Sequence, residues 1–343
     1  MTDVPTARGD VVDSSALGFT LPAETIFLVT TEVNLNWPDL SFGFGGKAEE
    51  RLADAVQKMT VAKQHGIDTI VDRCIPGIGR NVPLLKRLAE ACPVNIVVST
   101  GYYTWADLPP FFMYREQGGV RYDSEPTLED LFVRDLEEGI AGTGVRAGII
   151  KIVSDSYGLT AGVEHTIRAA ARAHRRTGAP ITSHTGVGIG TTGGLEQQTL
   201  LLEEGVDLTR VIIGHADFTP ADVGLEEFME IMDRGSYLGF DTVGLGPPYS
   251  YPELRVDRVV ALCERGYADR ILLSHDNACY VDIHPEASAV KTRQRESGFP
   301  TYTQISLDVI PRLRERGVTD DQIERMMVHN PRRIFETRGL GSY

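Results

Sequence analysis

Four polar side chains far apart in the chain belong to apolar, β-branched runs: Lys151 stands within one, and His184, His215 and Asp276 stand at the ends of three others. Lys151 lies within Ala147–Asp155, between Ile150 and Ile152, where alternation and composition together predict a buried strand. Lysine is almost never fully buried without a partner. Burial disfavours the ammonium form, which frees the amine for Schiff-base formation or for reaction with carbon dioxide to give a carbamate. The simpler alternative is an amine that snorkels from a strand end to solvent.

The spacing of the other three residues argues for a shared site. His184 follows Lys151 by 33 residues and ends Ala-Pro-Ile-Thr-Ser-His; His215 follows by a further 31 and ends Arg-Val-Ile-Ile-Gly-His. Each step is the length of one βα unit. Asp276 ends Arg-Ile-Leu-Leu-Ser-His-Asp another 61 residues on, which is two units. Polar residues at strand ends in that register meet at the catalytic face of a (β/α)8 TIM barrel.

The elements needed to position them follow in order. Strands are expected near Gly18–Thr25, Thr69–Arg73 and Val94–Thr100, then at Lys151, His184 and His215, at Tyr237–Asp241, and before Asp276. Helices are expected over Lys47–His65, Pro83–Ala91, Pro126–Gly142, Val163–Thr177, Gln197–Glu204, Glu226–Arg234 and Ile305–Gly317, with a terminal helical extension over Asp320–Phe335. His165 and His174 are expected at the surface. The glycine cluster Phe42–Gly46 lacks a following Lys-Ser/Thr and reads as a flexible surface loop rather than a phosphate cradle. Aromatic residues of Gly101-Tyr-Tyr-Thr-Trp105 either line a pocket or cap the core. His275 and Asp276 are adjacent, so strand alternation lets one of them point into the barrel.

A chain of 343 residues with 24% charged residues can form one such barrel, and residues 1–343 are read as a single domain. The formal net charge of −14 argues against nucleic acid or an anionic membrane as partner and says little more, because acidic surfaces mostly serve solubility. Cys74, Cys92, Cys263 and Cys279 form no CxxC pair and read as reduced thiols of a cytoplasmic protein. The N-terminus lacks a signal-peptide core, and no run is long enough to span a membrane.

Gly148-Ile-Ile-Lys151, Ser183-His-Thr185, Ile213-Gly-His215 and Leu273-Ser-His-Asp276 resemble the phosphotriesterase family of the amidohydrolase superfamily. Leu17-Gly-Phe-Thr-Leu21, Thr100-Gly-Tyr-Tyr103, Glu203-Glu-Gly-Val-Asp207 and Asn330-Pro-Arg-Arg-Ile334 look most like its lactonase branch. The resemblance implies a carboxylated Lys151 bridging divalent metals, His184 and His215 as ligands of one of them, and Asp276 as remaining ligand and proton shuttle. It also implies Tyr103 over the metal site and a substrate contact near Thr242. A homodimer is compatible with it, and oligomeric state is left open.

Two departures qualify that expectation. The first strand reads Leu21-Pro-Ala-Glu-Thr25, so Ala23 and Thr25 stand where the family has both histidines of the more buried metal. Alanine offers no ligand, and a threonine hydroxyl replaces imidazole poorly. Glu24 points away from the site by alternation unless Pro22 introduces a bulge. After the seventh strand, Asp241-Thr242-Val243 replaces the branch's Asp-Arg-aromatic pattern. The expected protein is a metal-dependent hydrolase of an ester, lactone or related bond with one zinc ion, held by His184, His215 and either carboxylated Lys151 or Asp276. Two alternatives remain: a metal-free barrel using Lys151 and Asp276 for lyase or isomerase chemistry, and a non-catalytic descendant that binds a small ligand.

Overall fold

Short β-branched runs form eight parallel strands: Thr20–Glu24, Thr69–Asp72, Asn95–Gly101, Ile149–Ser154, Ile181–Thr185, Val211–Ile213, Tyr237–Phe240 and Ile271–Leu273. Each pairs with the next in chain order, from the first to the eighth, as a (β/α)8 barrel requires. The structure is a computed structural model and describes residues 2–40, 47–115, 126–245, 251–282 and 298–336. Phe42–Gly46 lies outside the described residues, as does the stretch 246–250 of the loop after the seventh strand.

Strand alternation sorts the side chains into two cores. Val71, Val97, Ile149, Ile212, Tyr237 and Leu272 form one inner cluster, closed by Val4, Leu17, Ile334 and Phe335. The larger cluster takes the outward residues, such as Ile70, Ile96, Ile150, Ile181 and Leu238, and packs them against the helices. Each such side chain buried contributes about 1.5–3 kcal/mol. Arg73 and Lys151 follow Val71 and Ile149 by two residues, so both enter the barrel interior on the face of the inner cluster.

The first and eighth strands meet at a seam held by side chains and by backbone bonds just beyond the eighth strand. The register of the first strand slips against the second between Leu21 and Glu24, around Pro22. Glu24 is fully buried and turns to the eighth strand: Oε1 accepts from Ser274 Oγ at 2.7 Å and His275 N at 2.8 Å, and Oε2 accepts from Asn277 N at 2.8 Å. His275 Nε2 accepts from Ile305 N at 3.1 Å, which places its proton on Nδ1, donated to Glu24 at 2.9 Å. His275 therefore faces the shell of the barrel.

Several helices differ from their expected limits. The third expected helix spans Leu128–Glu137 and stops short of Gly142, because Gly139 and Ala141 adopt positive φ. The helix expected from Gln197 starts at Gly190; Gly194 packs where a Cβ would lie 2.4 Å from Ile213 Cγ2. The helix expected over Ile305–Gly317 opens with a π turn, Ile305–Val309, ahead of Pro311, and a second π turn, Arg325–His329, precedes Pro331. A proline without N–H cannot close the regular ladder there. His174, expected at the surface, is fully buried with Nδ1 2.6 Å from the Ala179 carbonyl, whereas His165 is half-buried. Among the described residues no helix is long and apolar enough to cross a membrane.

Candidate active site

Lys151 occupies the middle of the fourth strand and is 6% exposed. Its Nζ lies 5.6 Å from the centroid of the Tyr103 ring, and among the described residues it forms no ion pair. Burial, then the Arg73 guanidinium, push its pKa down to about 8, while Asp276, Cys74 and Asp72 pull the other way. A sizeable fraction of the amine is thus neutral near physiological pH.

His184 closes the fifth strand and is held by Asp155, which lies just beyond the fourth. Asp155 Oδ2 sits 2.9 Å from His184 Nε2 and accepts from the Tyr103 hydroxyl at 3.0 Å; that hydroxyl is 3.4 Å from the same Nε2. Burial works against the Asp155 carboxylate, but His184 and the N–H and hydroxyl of Ser156 outweigh it and hold its pKa well below the usual range. Burial lowers His184 to about 4, so its ring is neutral at pH 7. The Tyr103 phenol is pushed up by burial and by Asp155, which keeps it protonated.

His215 adopts φ 59 and ψ 36, a left-handed conformation uncommon outside glycine and concentrated at functional sites. Asp241 holds it there, accepting from His215 N at 2.8 Å and from Nδ1 at 2.7 Å. Burial, then Arg73, lower His215 to about 3, and burial raises Asp241. The arrangement is a neutral imidazole donating Nδ1–H to a carboxylate. Behind it, Arg73 is 1% exposed; Nη1 lies 3.2 Å from Asp241 Oδ2 and donates to the Ser183 carbonyl at 3.3 Å.

The His184 and His215 rings meet edge to face with centroids 4.6 Å apart. Asp276, half-buried and at φ 53, has its N–H bonded to Ala23 O at 3.2 Å, which brings the eighth strand's end beside the first strand. Ala23 is 2% exposed and Thr25 is half-buried. Thr242, expected to meet substrate, is fully buried and donates both N–H and hydroxyl to Asp217 Oδ2 at 2.9 and 3.0 Å. Arg255 Nε completes that cluster at 2.7 Å from Asp217 Oδ1.

The residues suit one divalent ion better than two. Each histidine engages a carboxylate through one ring nitrogen, and among the described residues His184 Nδ1 and His215 Nε2 have no hydrogen-bond partner. Carboxylate-oriented, neutral imidazoles are what metal ligation needs. The first strand supplies no second pair. Among the described residues no three His, Cys, Asp or Glu side chains lie close enough to share an ion, so an ion on the two histidines would need a ligand from outside that set.

Reading by motif singled out Lys151, His184, His215 and Asp276 as candidates and passed over Asp155, Arg73 and the contacts of Asp241. Alternation carried a signal for two of them: Asp155 is in phase with Lys151 and Val153, and Arg73 is in phase with Val71.

Three similarities place the chain among known proteins. It is 45% identical over 339 residues to the phosphotriesterase homology protein of Mycobacterium tuberculosis, covering 99% of each chain. It is 34% identical over 334 residues to an aryldialkylphosphatase of Saccharolobus solfataricus, covering 97% of this chain and 99% of that one. The solved structure of the phosphotriesterase from Mycobacterium tuberculosis superimposes with a TM-score of 0.90 at 43% identity, covering 99% of this chain and 100% of that one. The phosphotriesterase family model matches residues 2–335. The chain therefore belongs to the phosphotriesterase family, whose members are generally divalent-metal hydrolases.

Proposed function

We propose that this chain is a metal-dependent hydrolase of an ester, lactone or related bond, working with a reduced centre that holds one zinc ion. The observation that carries the proposal is Lys151: a buried amine with no ion pair among the described residues, in a barrel whose two histidines are each aligned by a carboxylate. A buried charge without a partner is costly, and conversion to a carbamate that shares a cation gives it one. His184, His215 and carboxylated Lys151 then form the ligand set. The ion would polarise the scissile bond and lower the pKa of water.

The remaining side chains have distinct tasks. Asp155 and Asp241 fix ring orientation for His184 and His215. Tyr103, with its hydroxyl on Asp155, sets one wall of the substrate space. Asp276, half-buried at the mouth, receives and releases the proton. A small-molecule substrate is the partner of this reading, since a net charge of −14 disfavours nucleic acid and anionic membrane, and the four buried free thiols support a reducing cytoplasm. Lys151 at about 8 also supports a second reading, in which the bare amine acts as base or nucleophile beside Asp276.

Zinc-loaded protein should be assayed against aryl esters, lactones and phosphotriesters alongside Lys151→Met. Hydrolysis of at least one class, lost in the variant, is expected. Equal rates in both proteins, or no hydrolysis of any class by fully loaded wild type, would remove the proposal.

A further inference from the structure

Arg73 is a second buried cation in the barrel interior beside Lys151. Its side chain enters the barrel from the second strand, is 1% exposed, and reaches across to the Ser183 carbonyl and Asp241. Gly214, just beyond the sixth strand, leaves room for it and Gly239 leaves room for its partner: a Cβ at Gly214 would lie 2.9 Å from Arg73 Nη1 and 3.0 Å from Asp241 Oδ2, and one at Gly239 would lie 2.7 Å from Asp241 Oδ2.

Its fork is only half used. Nη1 has both of the contacts above, whereas Nη2 is buried and, among the described residues, has no hydrogen-bond partner. A buried guanidinium nitrogen without an acceptor is costly, so an anionic group is expected beside it. The strand between Arg73 and Lys151 carries Gly101, which has no side chain, opposite Lys151. Carbamate formation would supply the missing acceptor. The Lys151 amine attacks the carbon of carbon dioxide, an N–C bond forms, one C=O π pair moves to oxygen, and the N–H proton leaves to solvent base. The product brings a negative charge into the barrel.

We propose that Arg73 is a positioning residue and the fixed counter-cation of this centre: Nη1 holds Asp241, and through it His215, while Nη2 donates to the carbamate on Lys151. The proposal rests on the carboxylated Lys151 of the preceding section and goes beyond it. In a barrel whose first strand lacks two ligands, Arg73 supplies permanent positive charge that a second ion would otherwise bring.

The test uses the full chain loaded with zinc in 13C-bicarbonate, with the carbamate carbon integrated per chain by 13C NMR in wild type, Arg73→Met and Arg73→Lys. Circular dichroism checks the fold of each variant. Occupancy should fall about tenfold in Arg73→Met, the effect of losing one charged hydrogen bond, and should recover in part in Arg73→Lys. Equal occupancy in wild type and Arg73→Met overturns the role of Arg73 and leaves the carboxylated centre standing. A wild type without any carbamate signal overturns the reading of Lys151, and the role of Arg73 with it. Should Arg73→Met fail to fold, Arg73→Gln replaces it: more carbamate in the lysine variant supports the proposal, and equal amounts overturn it.

Discussion

One carboxylate oxygen, Asp241 Oδ1, accepts from both the backbone N–H and the ring Nδ1 of His215, at 2.8 and 2.7 Å. That pair of bonds fixes the strained backbone and the ring together. Asp241→Asn keeps the shape but cannot accept both bonds as strongly. Zinc affinity should fall about 10–100-fold, as for other carboxylates that orient a ligating imidazole. Calorimetric titration with zinc checks this, and an unchanged affinity would show that His215 needs no such support.

Lys151 separates the requirements of function from those of stability. Lys151→Met keeps the volume and removes a buried amine, so metal-free protein should be as stable as wild type or about 1 kcal/mol more so. The same variant should retain no hydrolysis above background. A large loss of stability, read from urea unfolding, would mean that the amine has a structural partner.

Acid should destabilise the metal-free protein. His184 and His215 are lowered to about 4 and about 3, so from pH 6.5 downward the unfolded chain binds protons that the folded one refuses. Stability from this source is present above 6.5 and is lost as pH falls, by about 1.4 kcal/mol per pH unit for each ring once well below 6.5. Asp72 acts with the opposite sign: burial raises it to about 6, so its contribution is present below 3.8 and is lost as pH rises through 6. Burial lowers His174 as well and raises Asp241, so three histidines oppose two carboxylates and the net is a loss on acidification. Urea midpoints at pH 7.5 and 5 test this; a higher midpoint at the lower pH would contradict it.

Glu24 closes the seam between the first and eighth strands with four accepted hydrogen bonds. Glu24→Ala leaves buried donors on Ser274, His275 and Asn277 without an acceptor and should cost about 3–5 kcal/mol. Chemical denaturation measures it. A cost below about 1 kcal/mol would place the strength of the seam elsewhere.

The barrel and the positions of Lys151, His184 and His215 were legible because the βα period repeats and strand ends carry polar residues out of apolar runs. What escaped depends on contacts between strands. Asp155 ends the run that contains Lys151, yet its function comes from His184 one strand away. Arg73 looked like one residue in a polar strand end, although alternation from Val71 already turned it inward. His174 was misplaced because helical spacing locates a face but not the Ala179 carbonyl that buries it. Glu24 was expected to turn from the site, and its bonds to the eighth strand show where it goes.

The most direct measurement is zinc content after reconstitution and removal of loosely bound metal. A centre made of His184, His215 and Lys151, with Ala23 and Thr25 contributing nothing, predicts close to one zinc per chain in wild type and none in Lys151→Met. Two zinc ions per wild-type chain, or none, would contradict the account.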